Sequence, residues 1–201
     1  MKVLGITGGI GAGKSTVLSY LEEKYHARVI QADLTARQLQ QPGGVCFRNI
    51  VEEFGREILN REGNLDREKL SKTVFSDLGK LKRLNELVHP YVKEEIKRQI
   101  RKEKERGEVP FIAVEAALLL EDHYETVCDE IWYIYADVRT REERLKESRG
   151  YTEEKIRRVM ENQLEETEYR KKCDFVIDNS SKFVENTYEQ IDKGLVEHGF
   201  L

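Results

Sequence analysis

Short apolar runs alternate with longer stretches of helical spacing along this chain of 201 residues. Five of the runs have the length and continuity typical of buried β-strands, at residues 3–7, 28–30, 111–114, 131–135 and 175–177. Because helical stretches separate the runs, we expect the strands to be parallel and covered by helices on both faces. The pattern therefore predicts an α/β fold with a five-stranded parallel sheet.

One long helical region interrupts this alternation. From residue 34 to about residue 105, apolar residues recur at helical spacing, for example at Val92, Ile96 and Ile100. Turns within the region are marked by Pro42-Gly43-Gly44 and by Glu62-Gly63-Asn64. We expect one domain with a core at about residues 1–36 and 108–201, and a helical insertion at about residues 37–107.

A glycine-rich segment directly follows the first predicted strand. It reads Gly8-Gly9-Ile10-Gly11-Ala12-Gly13-Lys14-Ser15 and fits the pattern G-x-x-x-x-G-K-[ST]. Helical spacing begins at Thr16, so backbone N–H groups and the positive end of a helix dipole can surround an anion here. Lys14 can then reach the β- and γ-phosphates, and the Ser15 hydroxyl is a natural ligand for Mg²⁺. The segment predicts a binding site for a nucleoside triphosphate.

Composition narrows the class of partner. The net charge is -4 and the pI is about 5.8, a balance that gives no general attraction to nucleic acid or to an anionic membrane. No apolar run approaches the roughly 20 residues that cross a bilayer. Cys46, Cys128 and Cys173 lack C-x-x-C spacing and are most simply reduced cysteines. We therefore expect a cytoplasmic protein, monomeric or a small homo-oligomer, without nucleic-acid or membrane partners.

Three polar residues follow predicted strands, namely Asp33, Glu115 and Asn179. In parallel sheets, ligands bind beyond the carboxyl ends of the strands. Asp33 could accept a proton from an acceptor hydroxyl, since we expect the second strand close to the phosphate-binding loop, or it could cap a helix that starts at Leu34. Glu115 could hold Mg²⁺ through water or place a charge at a helix N-terminus. From the residues alone these alternatives stay open.

Arginines gather before the fifth predicted strand, at Arg139, Arg141, Arg144, Arg149, Arg157 and Arg158. Small kinases with this phosphate-binding loop close a lid of arginines over the phosphates, which neutralises charge and excludes water. Interleaved glutamates at residues 142, 143 and 147 are instead typical of a solvated surface helix. We favour the surface interpretation for most of these arginines.

A series of longer motifs runs from residue 3 to residue 180 in the order and spacing of a known family. Residues 6–16 read ITGGIGAGKST and resemble T-G-G-I-G-S/A-G-K-S-T, a pattern more specific than a general phosphate-binding loop. The further matches are Ala32-Asp33 with Arg37 and Pro42-Gly43, Gly63-Asn64-Leu65-Asp66-Arg67 with Leu70, His89-Pro90, Leu118-Leu119-Leu120-Glu121, Arg144-Leu145, Gln163, and Cys173-Asp174-Phe175-Val176-Ile177-Asp178-Asn179. On these motifs the chain resembles the dephospho-CoA kinase family.

The resemblance implies a reaction and a site. ATP, with Mg²⁺ as cofactor, would phosphorylate the ribose 3′-hydroxyl of dephospho-CoA to give CoA and ADP. Asp33 would be the general base, and Lys14 and Arg144 the other catalytic residues. The implied ATP site comprises Gly9, Gly11, Ala12, Gly13, Lys14, Ser15, Thr16, Arg144 and Asn179, with Ser15 as the metal ligand and Asn179 near the adenine. The implied acceptor site comprises Thr7, Asp33, Arg37, Arg67, His89, Glu115 and Leu118, and a lid would span about residues 139–170.

Four positions depart from the family pattern. Gln31 replaces an Asp, Ala117 a Pro, Ser148 a second lid arginine, and Tyr169 a Lys or Arg. Arg149, next to Ser148, could take over the lid position. The departures bear on lid chemistry and rate, and leave nucleotide binding intact.

Other interpretations compete with an active dephospho-CoA kinase. The chain could be a different small-molecule or nucleotide kinase with the same phosphate-binding loop, or a paralogue that kept the fold and lost phosphoryl transfer. A GTPase-type switch is disfavoured, because the sequence has neither an N-K-x-D nor a D-x-x-G motif.

Overall fold

The computed structural model describes residues 1–75 and 77–201. Its five strands are β1 (Val3–Thr7), β2 (Arg28–Gln31), β3 (Ile112–Glu115), β4 (Glu130–Tyr135) and β5 (Phe175–Asp178). All five predicted strands are therefore confirmed, with ends that differ from the prediction by at most one residue. Their continuous apolar character reflects burial on both faces, since every residue of β1 is buried.

The strands form one sheet in the order β2-β3-β1-β4-β5. β1 lies at the centre and pairs in parallel with β3 and β4, so that Ile6 lies beside Glu115 and Thr7 beside Tyr133. β3 separates β2 from β1, so the second strand is not the direct neighbour of the strand that carries the loop, and its closeness to the loop stays a prediction. The neighbour of the loop-bearing strand is therefore β3, which ends at Glu115.

Helices occupy most of the remaining chain. They are α1 (Lys14–Tyr25), α2 (Ala32–Leu39), α3 (Val45–Phe54), α4 (Arg67–Phe75), α5 (Leu78–Arg106), α6 (Val138–Arg149), α7 (Glu153–Glu161), α8 (Glu166–Lys172) and α9 (Val184–Glu197). Short 3₁₀ turns lie at Arg56–Ile58 and Tyr124–Thr126. Among the helices of the described residues, none is both long and apolar enough to span a membrane.

The chain divides into two compact units. The first comprises Met1–Ile30 with Glu103–Leu201, and the second comprises Gln31–Lys102. In the first unit, the buried Trp132 of β4 packs edge-on against Phe200 and tilted against Phe175, with ring centroids 5.8 Å and 5.0 Å apart. The core between sheet and helices positions the ends of β1, β3, β4 and β5, where the site lies.

The second unit covers most of the predicted helical region, which extends a few residues beyond Lys102. α5 buries Val88, Val92, Ile96 and Ile100, which confirms the spacing of four residues along this helix. The helix continues through Pro90. The two turn segments predicted here also form, with Gly43 and Gly63 at positive φ values of 88° and 81°.

Candidate active site

The phosphate-binding loop connects β1 to α1, as predicted. Three of its glycines have positive φ, namely Gly8 at 148°, Gly11 at 79° and Gly13 at 87°. Gly13 caps α1, and its carbonyl accepts from the Thr16 N–H at 3.1 Å. A Cβ at Gly13 would overlap the side-chain amide of Asn179. Glycine is therefore required at Gly13 both for its backbone conformation and for this contact.

Lys14 lies across the loop at the end of the sheet. Its Nζ donates to the Gly8 carbonyl at 2.8 Å and to the Gly9 carbonyl at 3.5 Å. The Oε1 of Glu115 is 3.8 Å from the same Nζ, and both side chains are largely buried. Glu115 ends β3 and is followed by turns, so its interpretation as a charge at a helix N-terminus is wrong. The two predicted site residues are brought together.

Thr7 and Ser15 place hydroxyl groups on either side of the loop. Thr7, the last residue of β1, is fully buried. Its Oγ1 has no hydrogen-bond partner, and among the described residues it is the one buried side-chain nitrogen or oxygen atom of which this is true. An unpaired buried hydroxyl costs about 1–3 kcal/mol, so a bound molecule that reached it would recover this energy. Ser15, in the first turn of α1, is exposed.

Arg144 of α6 contacts the phosphate-binding loop. Its NH2 donates to the Asn179 carbonyl at 2.9 Å and its NH1 to the Ala12 carbonyl at 3.4 Å. Of the predicted ATP-site residues, Arg144, Ala12 and Asn179 are therefore in direct contact. The guanidinium lies where charge on a bound phosphate could be neutralised.

The surface interpretation is wrong for Arg141. Its Nε donates to the Ile10 carbonyl at 2.9 Å and its NH2 to Gln163 Oε1 at 2.5 Å. Gln163 Oε1 also accepts from the Ile10 N–H at 3.2 Å, so both polar groups of Ile10 are held. The side chain is partly buried, which lowers the pKa of Arg141. Its position four residues before the buried Leu145 is the sequence signal for an inward-facing arginine.

Two other arginines of α6 lie elsewhere. Arg139 is exposed and pairs with Glu143 at 3.0 Å, which confirms the surface interpretation there. Arg149 lies over the ring of Tyr151 at 6.0 Å, and Ser148 Oγ donates back to the Arg144 carbonyl at 2.6 Å. Of Arg144 and Arg149, it is Arg144 whose contact with the loop the structure shows.

Replacing Arg141 by alanine should weaken ATP binding about tenfold, because it releases the Ile10 carbonyl and one partner of Gln163, a loss of about 1–3 kcal/mol. The matched change Arg139→Ala removes an arginine of the same helix that makes an exposed ion pair worth about 0–1 kcal/mol. Calorimetric titration with ATP should therefore separate the two variants. Equal affinities would contradict the role of Arg141.

Tyr169, one of the four departures, is a packing residue. It is buried and its ring stacks on that of Tyr133, with centroids 4.6 Å and planes 4° apart. Burial raises the pKa of each phenol to about 12. An apolar stack between β4 and α8 therefore stands where the family pattern has a cation.

Asp33 lies in the first turn of α2, whose N-cap is Gln31. The helix starts at Ala32, so the alternative of Asp33 as the cap of a helix from Leu34 is wrong. Asp33 is exposed, and the exposed Arg37 lies one turn further on the same face. The Asp33 carboxylate and the Arg37 guanidinium are therefore both exposed on one face of α2.

The remaining predicted acceptor residues lie on separate elements. Arg67 is the exposed first residue of α4, and His89 is half-buried on α5. Leu118, in the turn that follows β3, is 39% exposed. Their positions on elements are established, and their contacts with an acceptor stay predictions.

Two known kinase structures share the fold of this chain. A dephospho-CoA kinase from Campylobacter jejuni matches over 99% of this chain and 98% of its own, with a TM-score of 0.72 and 22% identity. A shikimate kinase from Acinetobacter baumannii matches over 99% and 94%, with a TM-score of 0.54 and 14% identity. These matches establish the fold, and the G-x-x-x-x-G-K-[ST] loop places the chain among P-loop proteins.

The family follows from the sequence comparisons. The family model described as dephospho-CoA kinase matches residues 2–185. Dephospho-CoA kinases from Shouchella clausii and Enterococcus faecalis are 37% and 36% identical, covering 96% and 98% of this chain and 97% and 96% of their own. The chain belongs to the dephospho-CoA kinase family, which confirms the resemblance seen in its motifs.

Proposed function

We propose that this protein transfers the γ-phosphate of ATP to the ribose 3′-hydroxyl of dephospho-CoA, giving CoA and ADP. The observation that carries the proposal is the phosphate-binding loop of a family member, with Lys14 and Arg144 both in contact with it. Phosphoryl transfer depends mainly on positioning and on charge stabilisation. Those are the functions that a loop of backbone donors with two cations can supply.

In this proposal Gly9, Gly11, Ala12, Gly13 and Thr16 form the cradle of the triphosphate. Lys14 and Arg144 share the negative charge of the transferred group. In the structure each of these cations is hydrogen-bonded to carbonyls of the loop. A phosphate oxygen is a stronger acceptor for a cationic donor than a carbonyl, so both side chains can exchange these bonds for nucleotide contacts.

Asp33 is the proposed general base. It would take the proton of the 3′-hydroxyl as that oxygen bonds to the γ-phosphorus and the bond to the β-phosphate oxygen breaks, releasing ADP. The exposure of its carboxylate in the first turn of α2 is consistent with this role. Arg37, on the same face, would bind the acceptor together with Thr7, Arg67, His89, Glu115 and Leu118.

A hydroxyl of the kind that binds Mg²⁺ in P-loop proteins follows the loop directly, in the first turn of α1. No cluster of three or more metal-ligating side chains occurs among the residues that the structure describes. This agrees with Mg²⁺ sites of kinases, where one or two protein oxygens and the phosphates share the ion. The exposed Ser15 hydroxyl is the proposed protein ligand. Bound there, Mg²⁺ would supply positive charge toward the phosphates.

The lid assignment can be tested with two arginines of α6. Arg144→Ala should lower kcat about 100-fold, because one preorganised donor to the developing charge is lost. Arg149→Ala should change kcat less than about twofold, which is within the usual range for a surface substitution, since the exposed guanidinium of Arg149 lies over the ring of Tyr151. Steady-state rates with saturating ATP measure both. A larger loss for Arg149→Ala would show that Arg149, and not Arg144, is the lid arginine.

The identity of the phosphate acceptor is tested with a panel of candidate acceptors. Purified protein with ATP and Mg²⁺ is given dephospho-CoA, shikimate or nucleoside monophosphates, and ADP release is measured. Turnover with dephospho-CoA at least tenfold above every other acceptor is the expected result. Preferred turnover of shikimate or a nucleotide would assign a different kinase activity, and ATP binding without any acceptor-dependent turnover would indicate a paralogue that has lost transfer.

A further inference from the structure

Asn179 and Thr187 form a buried polar pair beside the phosphate-binding loop. Asn179 Nδ2 donates to the Ala12 carbonyl at 2.7 Å, and Thr187 Oγ1 donates to Asn179 Oδ1 at 2.7 Å. The Ala12 carbonyl can only accept, so the amide must turn its NH₂ toward the loop and its oxygen toward Thr187. Asn179 is 4% exposed and Thr187 is fully buried, which leaves water little access as a replacement partner.

The bond to Ala12 determines the orientation of a peptide in the loop. A trans peptide is planar, so its C=O and N–H groups point in opposite directions. With the Ala12 carbonyl held by Asn179, the Gly13 N–H is directed away from Asn179. Gly13 has a positive φ of 87°, and its missing side chain is what allows the amide of Asn179 to lie against it. Loops of this kind bind phosphate through such N–H groups.

Asn179 also links three elements of the core. Its N–H donates to the Tyr135 carbonyl at the end of β4, at 2.8 Å. The backbone carbonyl of Asn179 accepts from Arg144 NH2 at 2.9 Å, and this bond holds the guanidinium next to the loop. Thr187 connects the same residue to α9. One buried asparagine therefore supports both the loop peptide and the lid arginine.

We propose that Asn179 and Thr187 are positioning residues for phosphate binding. Thr187 selects the orientation of the Asn179 amide, and Asn179 sets the Ala12–Gly13 peptide and Arg144. Asn179 thus holds the phosphate-binding loop in shape through its bond to the Ala12 carbonyl, in addition to any contact with adenine. The consequence for turnover rests on the proposed kinase function, whereas the consequence for ATP affinity does not depend on the acceptor.

The decisive variant is Thr187→Val, which keeps the shape and removes the hydroxyl. Without its donor, Asn179 loses one of two constraints on its amide, and the Kd for ATP should rise about three- to tenfold. The KM for dephospho-CoA should not change, and Thr187→Ser should restore most of the lost affinity. Asn186→Ala, which removes an exposed side chain of α9 that bonds Ser181 at 3.0 Å, is the matched control.

A second variant, Asn179→Asp, replaces the donor to Ala12 by an oxygen at nearly constant volume. The Kd for ATP should rise about 10- to 100-fold, because two oxygens then face each other in a buried site. Titration calorimetry and thermal melts separate altered binding from unfolding.

Two results would overturn the proposal. Wild-type ATP affinity in Thr187→Val, whatever the affinity of Asn179→Asp, would show that the Thr187 hydroxyl does not position the Asn179 amide for phosphate binding. Equal losses for ATP and dephospho-CoA in folded Thr187→Val would mean a general loss of structure. A wild-type protein that binds ATP but does not use dephospho-CoA would refute the proposed function and leave this comparison of affinities intact.

Discussion

Replacing Lys14 by alanine should lower kcat about 10²- to 10³-fold, the typical cost of one preorganised donor to developing charge. Lys14 Nζ lies 2.8 Å from the Gly8 carbonyl and 3.8 Å from Glu115, so its ammonium group is already held at the loop before nucleotide binds. The loss should appear in kcat more than in KM for dephospho-CoA, because the acceptor's own contacts stay intact. Steady-state rates over a range of both substrates measure the two parameters.

The matched control lies on the same helix. Lys24, in the last turn of α1, pairs with Asp192 at 2.7 Å and lies over the rings of Tyr20 and Tyr25. Lys24→Ala removes the same charge from α1 without touching the loop, so kcat should stay within about twofold of wild type. A similar loss of kcat in both variants would show that the net charge of α1, rather than the position of Lys14, determines the rate.

The second large effect is expected for Asp33→Asn. An amide of equal size cannot accept the proton of the attacking hydroxyl, so kcat should fall about 10²- to 10⁴-fold. ATP binding should be nearly unchanged, since the proposed role concerns the acceptor. Stability should fall by no more than about 0.3–1 kcal/mol, the value of an acidic side chain in the first turn of a helix. Rapid-quench turnover, ATP titration and denaturant unfolding measure kcat, ATP affinity and stability, respectively.

Glu68→Gln is the control for Asp33→Asn. Glu68 is also an exposed acid in the first turn of a helix of the second unit, α4. Loss of its charge should leave kcat unaltered. If Asp33→Asn turned over at the wild-type rate, another group would have to be the base, and the first carboxylate to examine would be Glu115.

The parts of the fold that depend on local sequence could be predicted. The loop is encoded by one contiguous segment, which contains the apolar run of β1, the glycines with positive φ and Lys14. The loop and its place before α1 therefore follow directly from the sequence pattern. The order of the strands in the sheet could not be predicted in this way. The order of the strands along the chain does not reveal that β3 lies between β1 and β2 in the sheet.

The site was harder to predict where a residue acts through tertiary contacts. Arg141 stands among glutamates in a sequence typical of a solvated helix, yet its guanidinium is needed by the Ile10 carbonyl and by Gln163, 22 residues further along the chain. The position of Asn179 after the fifth strand singles it out, and the resemblance adds a place near the adenine, but its contact with Ala12 joins residues 167 positions apart. Hydrogen-bond partners so distant in sequence leave no local pattern.

The most direct test of the central claim is the product formed from ATP, Mg²⁺ and dephospho-CoA. ADP release is followed with and without the acceptor, and the acceptor product is examined by tandem mass spectrometry to locate the new phosphate. We expect ADP release that requires dephospho-CoA and a phosphate on the ribose 3′ oxygen. ADP release at a rate that does not depend on dephospho-CoA, or a new phosphate at another position of the product, would contradict the proposed function.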